Sequence, residues 1–359
     1  MRVAVLGVGL IGGSIGLAAR ERLGAEVRGY DPDPGHLDRA LERAAIDSPH
    51  GSVADAVEGA EIVFCAAPVA ALPELVAEAL GAAGDDVAVT DVGSVKRELI
   101  AALGQDPRFI GGHPLAGAES AGVESARADL FTGARWYLTP SERTEGLLYD
   151  RVQRVVADLG ARPQAVEPDR HDRLMATVSH LPHVLANVLV ERAARAAGEE
   201  SERLPEPGPS FRDATRVAGA NPAIWADILT ANGEAVAAEA EAVAAELERV
   251  AAELRRGNHD TVDAWHRRAA EHRRELLEAE LEGGPLNELR VLVENRPGIV
   301  AEIALALGNA GINIEDMALH PAADMRSGAI SLYVAGTDEA ARAAALLGDL
   351  GHDVAAVER

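Results

Sequence analysis

The spacing of apolar and polar positions changes character twice along this chain. Up to about residue 166, short apolar runs of strand type at 2–6, 26–30, 62–66, 87–91, 108–111 and 135–139 alternate with Ala-rich helical stretches. That alternation predicts an α/β fold with a doubly wound parallel sheet. From about 167 to 283 the strand signal vanishes, and stretches rich in Ala, Glu and Arg predict an all-helical region. Within it, Gly233 to Leu281 reads as helix almost throughout, broken near Gly257 and Asn258, and is expected to be a packing and dimerisation surface. Gly283, Gly284 and Pro285 mark a linker. The strand signal then returns at 289–293, followed by a turn at 294–298, an amphipathic helix at 299–310 and a second strand starting at Asn313 and Ile314. A strand at 328–334, a helix at 338–350 and a strand at 353–357 complete a βαββαβ order, a ferredoxin-like module. Three domains are expected, at 1–166, 167–283 and 287–359.

Composition narrows the function classes. No run of 18 apolar, uncharged residues occurs, and no charged-then-apolar leader precedes the first strand. Neither a membrane span nor a signal peptide is expected, and the chain is read as cytoplasmic. The single cysteine, Cys65, lies in an apolar run, so no internal disulfide framework exists and the thiol reads as a small buried hydrophobe. With 58 acidic and 34 basic residues the formal charge is −24, which opposes nucleic acid and anionic lipid. An anionic substrate must therefore meet a local basic cluster.

The first strand runs into Gly7-Val8-Gly9-Leu10-Ile11-Gly12, which opens a helical stretch. Strand, G-x-G-x-x-G and helix in that order predict a dinucleotide site. Gly7 allows the tight turn, Gly9 lets backbone approach a pyrophosphate, and Gly12 lets the helix pack against the strand with its amino end facing the anion. Asp31 ends the second strand about 20 residues past the last glycine, where an acid accepts hydrogen bonds from ribose hydroxyls. Its carboxylate would repel a 2′-phosphate, so NAD is expected rather than NADP.

The stretch Gly111-Gly112-His113-Pro114 sets a histidine in a loop at a strand end, where α/β folds line their ligand crevice. Imidazole is the side chain best suited to moving a proton near neutral pH. Lys96 is the only lysine among 34 basic residues. It reads as a compact ammonium placed for the substrate or for the fold of its loop, against chance retention at an exposed first helical turn. The same count disfavours dehydrogenases of the 3-hydroxyacid and ketopantoate types, which take a proton donor lysine from their helical domain. His180 and His183 stand three apart, but no cysteine or acid lies beside them at a metal spacing, and no metal is expected.

Taken in order, the glycine loop, Asp91-Val92-Gly93-Ser94-Val95-Lys96, Gly111 to Glu119, His171-Asp172, Ser179-His180-Leu181-Pro182-His183 and Phe211 to Arg216 resemble the prephenate and arogenate dehydrogenases of tyrosine biosynthesis. The tail, with Asn295 to Val300 and Ala310 to Ile314, resembles an ACT domain, a module that usually binds amino acids. The loop Pro205 to Ser210 departs from the glycine-rich pattern of many relatives, and no chorismate mutase domain is expected ahead of the first strand.

The resemblance implies an NAD-dependent oxidative decarboxylation of a cyclohexadienol, driven by aromatisation. It makes His113 the acceptor of the C4 hydroxyl proton and Ser94 the group that orients imidazole and hydroxyl, or a cap for the helix near Val95. Arg216 would grip a substrate carboxylate with its guanidinium fork. His183, Lys96 and Glu119 are the other substrate candidates, and Leu10, Ile11, Ala66 and Pro68 join the glycines and Asp31 around the cofactor. His171 and His180 are left open between a structural place and a link between domains. Trp225 reads as a core anchor rather than a substrate contact, although the resemblance puts a tryptophan near the pocket. Asn295, Gly298, Asn313 and Ile314 are the candidate effector site, with tyrosine the expected ligand. A homodimer is expected. Prephenate is preferred to arogenate as substrate, and a nucleotide-binding sensor without catalysis is the reading from a different class.

Overall fold

A computed structural model describes residues 1–117, 122–199, 208–278, 285–322 and 327–356, in two compact units, 1–244 and 245–359. Glu119, Pro205, Gly283 and Gly284 fall outside the described residues.

The first unit opens with β1 (Arg2–Leu6), α1 (Leu10–Leu23), β2 (Glu26–Tyr30), α2 (Pro34–Glu42), β3 (Ser48–His50), α3 (Val53–Val57) and β4 (Ile62–Cys65). It continues with α4 (Leu72–Ala82), β5 (Ala88–Asp91), α5 (Arg97–Leu103), β6 (Phe109–Pro114), β7 (Arg135–Thr139), α6 (Gly146–Asp158) and β8 (Arg162–Ala165). The eight strands form one sheet in the order β3-β2-β1-β4-β5-β6-β7-β8. Along the central strands alternate residues serve opposite faces. Val3, Val5 and Phe64 join the core under α1 and α6, while Ala4, Leu6, Val63 and Cys65 join the one under α3 and α4. Burial on both faces is why these strands read as unbroken apolar runs. Cys65 is fully buried, and burial together with nearby Asp91 pushes its thiol pKa well up, so it packs and does not react.

Three features differ from the sequence reading. The sheet is not wholly parallel, because β6 pairs with β7 antiparallel. β3 and β8 were not visible: the first is three residues long around Pro49, and the second is a largely exposed edge strand. β6 also continues through His113 to Pro114, so the histidine belongs to the strand itself and faces Tyr137 of β7 in the register.

Helices follow the sheet: α7 (Pro168–Met175), α8 (Leu181–Glu199), α9 (Pro209–Thr215), α10 (Pro222–Ala231) and α11 (Gly233–Arg256). The Glu167 carboxylate caps α7 by accepting from the N–H groups of Asp169 and Arg170. Between α7 and α8 the chain makes one wide π-turn over Ala176–His180. Pro182 just beyond it has no N–H to offer the helical ladder, and such turns often mark functional positions.

The second unit contains α12 (His259–Glu278) and a four-stranded antiparallel sheet of β9 (Leu286–Glu294), β10 (Asp316–Pro321), β11 (Ser327–Ala335) and β12 (Asp353–Ala356). Helices α13 (Ile299–Asn309) and α14 (Thr337–Asp349) complete the expected βαββαβ order, with strand order β10-β11-β9-β12. Leu289, Val291, Ile303, Leu307, Ile330, Leu332 and Leu347 form its core. The second strand starts at Asp316, so Asn313 and Ile314 precede it in the connection from α13. Asn295 lies in the turn between β9 and α13, which Gly298 ends with φ +90°.

Candidate active site

At the start of β1–α1, Gly7 adopts φ +96°, and a Cβ there would stand 2.3 Å from the Ala66 carbonyl oxygen. Nothing lies within 4 Å of a Cβ built at Gly9, so the loop is open where a pyrophosphate would approach the amino end of α1. Leu10 and Ile11 form the first turn of α1 and pack on the core beneath. Ala66 ties the end of β4 to β1 by donating its N–H to Leu6 O at 2.6 Å, and exposed Pro68 follows it.

Asp31 sits at the end of β2, on the wall of a cleft of about 410 Å³ that also involves Tyr30, Leu37 and His50. Its Oδ2 accepts the N–H of Val8 at 3.0 Å, and its Oδ1 accepts from Asp33 N and pairs with His36 Nδ1, each at 3.0 Å. The acid thus does more than the sequence suggested, since it also holds the glycine loop in place. This combination of an open loop, a helix amino end and an acid in the wall of a cleft fits a dinucleotide with free ribose hydroxyls.

The second cleft, also about 410 Å³, brings Ser94 and His113 together with Leu115, His180, Trp225 and Ile228. His113 reaches it because its flanking glycines allow crowding: a Cβ at Gly112 would stand 2.5 Å from the Asp91 carbonyl oxygen, and one at Gly111 2.2 Å from Thr139 Oγ1. Behind the imidazole lies a buried relay. Asp172 Oδ1 is 2.7 Å from His171 Nδ1, and His171 Nε2 is 2.9 Å from His113 Nδ1. The carboxylate accepts, so His171 Nδ1 donates and its Nε2 accepts; His113 Nδ1 must then donate, leaving His113 Nε2 with a free lone pair. Tyr137 packs edge-on against His171, with ring centroids 5.6 Å apart. Burial, reinforced by neighbouring His171 and Lys96, pushes the His113 pKa well below the ordinary histidine value. The geometry yields a neutral imidazole of fixed tautomer, the form a proton acceptor needs.

Asp172 is also the cap of α5. Its Oδ1 accepts from Lys96 N at 2.8 Å and its Oδ2 from Arg97 N at 2.9 Å. Burial would raise this carboxyl, but the hydrogen bond from His171 and the two backbone N–H groups outweigh it and hold the pKa below the ordinary value. The cap expected from Ser94 is therefore supplied by another element. Ser94 lines the cleft beside His113, yet the partner that orients the imidazole is His171.

Lys96 is not in the cleft wall and not exposed. It is fully buried and paired with Asp91, whose Oδ2 also accepts from Gly93 N and whose Oδ1 accepts from Gly112 N at 3.0 Å. The Asp91 carboxylate ties the end of β5 to Gly112 beside His113, and the Lys96 ammonium pairs with that carboxylate, which matches the reading in which Lys96 serves the fold of its loop. A buried pair of this kind is costly to break from one side.

On the helical side, Trp225 corrects the core-anchor reading: it is half-buried, lines the cleft and stacks on His183 with centroids 3.3 Å apart. The His183 pKa is lowered by burial and then by the charge of nearby Arg216. Arg216 itself is exposed, at the start of a short turn over Arg216–Gly219. His180, left without a role by the sequence, is buried in the cleft wall.

This geometry agrees with comparisons to known proteins. The nucleotide-binding domain model of prephenate dehydrogenase matches residues 15–165, its dimerization domain model matches 167–268, and the ACT domain model matches 287–352. The prephenate dehydrogenase of A. aeolicus, solved in complex with hydroxyphenyl propionate and NAD+, is 30% identical with a TM-score of 0.73 over 77% of this chain and 98% of that one. The chain belongs to the prephenate dehydrogenase family. Within that family, the prephenate dehydrogenase of Bacillus subtilis is 27% identical over 348 residues, covering 95% of this chain and 94% of its own. The arogenate dehydrogenase of Synechocystis is 25% identical with a TM-score of 0.67, covering 77% of this chain and all (100%) of that one.

Proposed function

We propose that this chain catalyses the NAD-dependent oxidative decarboxylation of prephenate to 4-hydroxyphenylpyruvate in tyrosine biosynthesis. The observation that carries the reading is the free lone pair of His113 Nε2, fixed by the His171–Asp172 relay in a cleft at the end of the sheet that carries the glycine loop. Gly7, Gly9, Gly12 and Asp31 would hold NAD, with Leu10, Ile11, Ala66 and Pro68 around it, and bound NAD supplies the acceptor for the C4 hydride.

His113 accepts the C4 hydroxyl proton as that carbon becomes carbonyl-like, and returns it to the phenolic oxygen once the ring carboxylate has left as carbon dioxide. Aromatisation supplies the driving force, so the chain's residues need only orient the substrate and move one proton. A positioned base of this kind contributes roughly 10² to 10⁴ in rate. Ser94 lies where it can hydrogen-bond the same hydroxyl. His183, stacked on Trp225, and Arg216, whose charge acts on His183, are the groups we assign to a substrate carboxylate.

The matched dimerization domain supports a homodimer, and the ACT unit supports tyrosine as an effector held by Asn295, Gly298, Asn313 and Ile314. Arogenate, which differs only in carrying an amino acid where prephenate carries a keto acid, is the second reading, favoured by the likeness to the Synechocystis enzyme. Steady-state reduction of NAD with each substrate separates the two. Faster turnover of arogenate would reassign the substrate, and no reduction with either would leave a nucleotide-binding sensor.

A further inference from the structure

A second imidazole in the cleft is as firmly set as the first, with the opposite polarity. His180 is 1% exposed, and its Nδ1 lies 3.1 Å from Asn232 Nδ2. The same Asn232 nitrogen donates to the Asp172 backbone carbonyl at 2.8 Å. A carbonyl can only accept, so the amide must turn its NH₂ toward Asp172; the reverse orientation would set two oxygens against each other. That NH₂ then also faces His180. An amide nitrogen does not accept a hydrogen bond, so His180 Nδ1 carries no proton and Nε2 does.

Asn232 is itself 1% exposed, and its Oδ1 has no partner among the described residues, so none of them offers the amide a reason to turn over. Protonating His180 at Nδ1 would set that proton against the Asn232 N–H. Burial acts in the same sense and takes the His180 pKa down to about 4. His113 and His180 are thus set from two sides of one residue: His171 on the Asp172 carboxylate fixes an acceptor, and Asn232 on the Asp172 carbonyl fixes a donor. The described walls of the cleft contain no lysine or arginine, so within those walls a carboxylate oxygen meets neutral donors in addition to whatever Arg216, outside them, supplies.

We propose that His180 contacts the substrate, its Nε2–H donating a hydrogen bond to an oxygen of the side-chain carboxylate, the one retained in the product, of the same molecule whose hydroxyl faces His113. The contact rests on the prephenate reading above, whereas the tautomer does not. Because that oxygen keeps its charge through the reaction, the bond serves binding more than the chemical step.

Two measurements on the full chain test this. Nitrogen-15 NMR of histidine-labelled protein, with His180 assigned by the loss of its signals in His180→Gln, should show the Nε2–H tautomer. Titration with hydroxyphenyl propionate should then shift that proton downfield and slow its exchange. An Nδ1–H tautomer, or a resonance unmoved at saturation, would overturn the proposal whether or not prephenate is turned over. In kinetics, His180→Leu should raise the KM for prephenate by about tenfold or more, the loss expected for a hydrogen bond to a charged group, with kcat within about threefold. His180→Gln, whose amide can replace the Nε2–H, should recover most of that loss. Wild-type turnover with an unchanged KM in His180→Leu would overturn this contact alone; absence of wild-type turnover would overturn the prephenate reading and leave the NMR titration to decide the contact.

Discussion

His113 Nδ1 and His171 Nε2 stand 2.9 Å apart, and this contact decides which nitrogen of His113 can act as a base. Replacing His171 with Leu removes the acceptor that holds the His113 proton on Nδ1, and the ring is then free to rotate or change tautomer. His171→Leu should lower kcat by about tenfold or more while moving the KM for prephenate only a few-fold, since orientation is part of what a positioned base contributes. His171→Gln, which can present a carbonyl oxygen to the same N–H, should recover part of the rate. Unchanged kcat in the Leu variant would show that the relay does not set the base.

The lowered pKa of His113 fixes the pH behaviour. The acidic limb of kcat/KM reports the free enzyme's base, so activity should persist below the ordinary histidine value of 6.5 and fall only at lower pH. Stability follows the same sign. His180 is neutral in the folded chain down to about pH 4, whereas an unfolded histidine takes up its proton near 6.5. The unfolded state therefore binds more protons through that window, and folding weakens as pH falls across it. Asp172, with its carboxyl held below the usual value, adds a further loss at still lower pH. Denaturant titrations from pH 7 to 4 should show a decreasing midpoint; an activity limb centred above 6.5 would contradict the neutral-base assignment.

Asp31 accepts both the Val8 N–H and the His36 imidazole, so its removal affects more than the ribose. Asp31→Ser should raise the KM for NAD and narrow the preference for NAD over NADP, because the glycine loop loses its acceptor while the repulsion toward a 2′-phosphate disappears. Competition kinetics with the two cofactors check this. A wild-type enzyme already faster with NADP at low cofactor concentration would contradict it.

Tyrosine inhibition should depend on the ACT unit. A chain ending near residue 282 should keep turnover and lose inhibition, because an effector acts only by binding one state better than another. Equal inhibition of both chains would place tyrosine in the catalytic cleft as a competitor.

Much of this was legible in the sequence. Gly7 to Gly12 and Asp31, the residues we assign to the nucleotide, stood out because backbone approach and charge admit few residue types, and the period change at 167 marks where the sheet ends. His113 was visible for its glycine and proline neighbours. Its dependence on His171 was not, since the two are 58 positions apart and their meeting depends on how α7 packs. Asp172 entered only beside His171 in the resemblance, with no role of its own, although it caps α5 and anchors both cleft histidines. Lys96 stood out as a solitary lysine, but only the fold shows it buried against Asp91. The antiparallel β6–β7 pair was hidden because strand direction leaves no trace in residue pattern when both strands are buried.

Proton acceptance by His113 is tested most directly by comparing wild type with His113→Asn in steady-state NAD reduction with prephenate. Asparagine keeps a polar group of similar size but offers no base, so kcat should fall by about 10² or more with KM within several-fold, and the acidic limb of the wild-type profile should vanish. A His113→Asn enzyme with near wild-type kcat and the same acidic limb would contradict the assignment of His113 as the base.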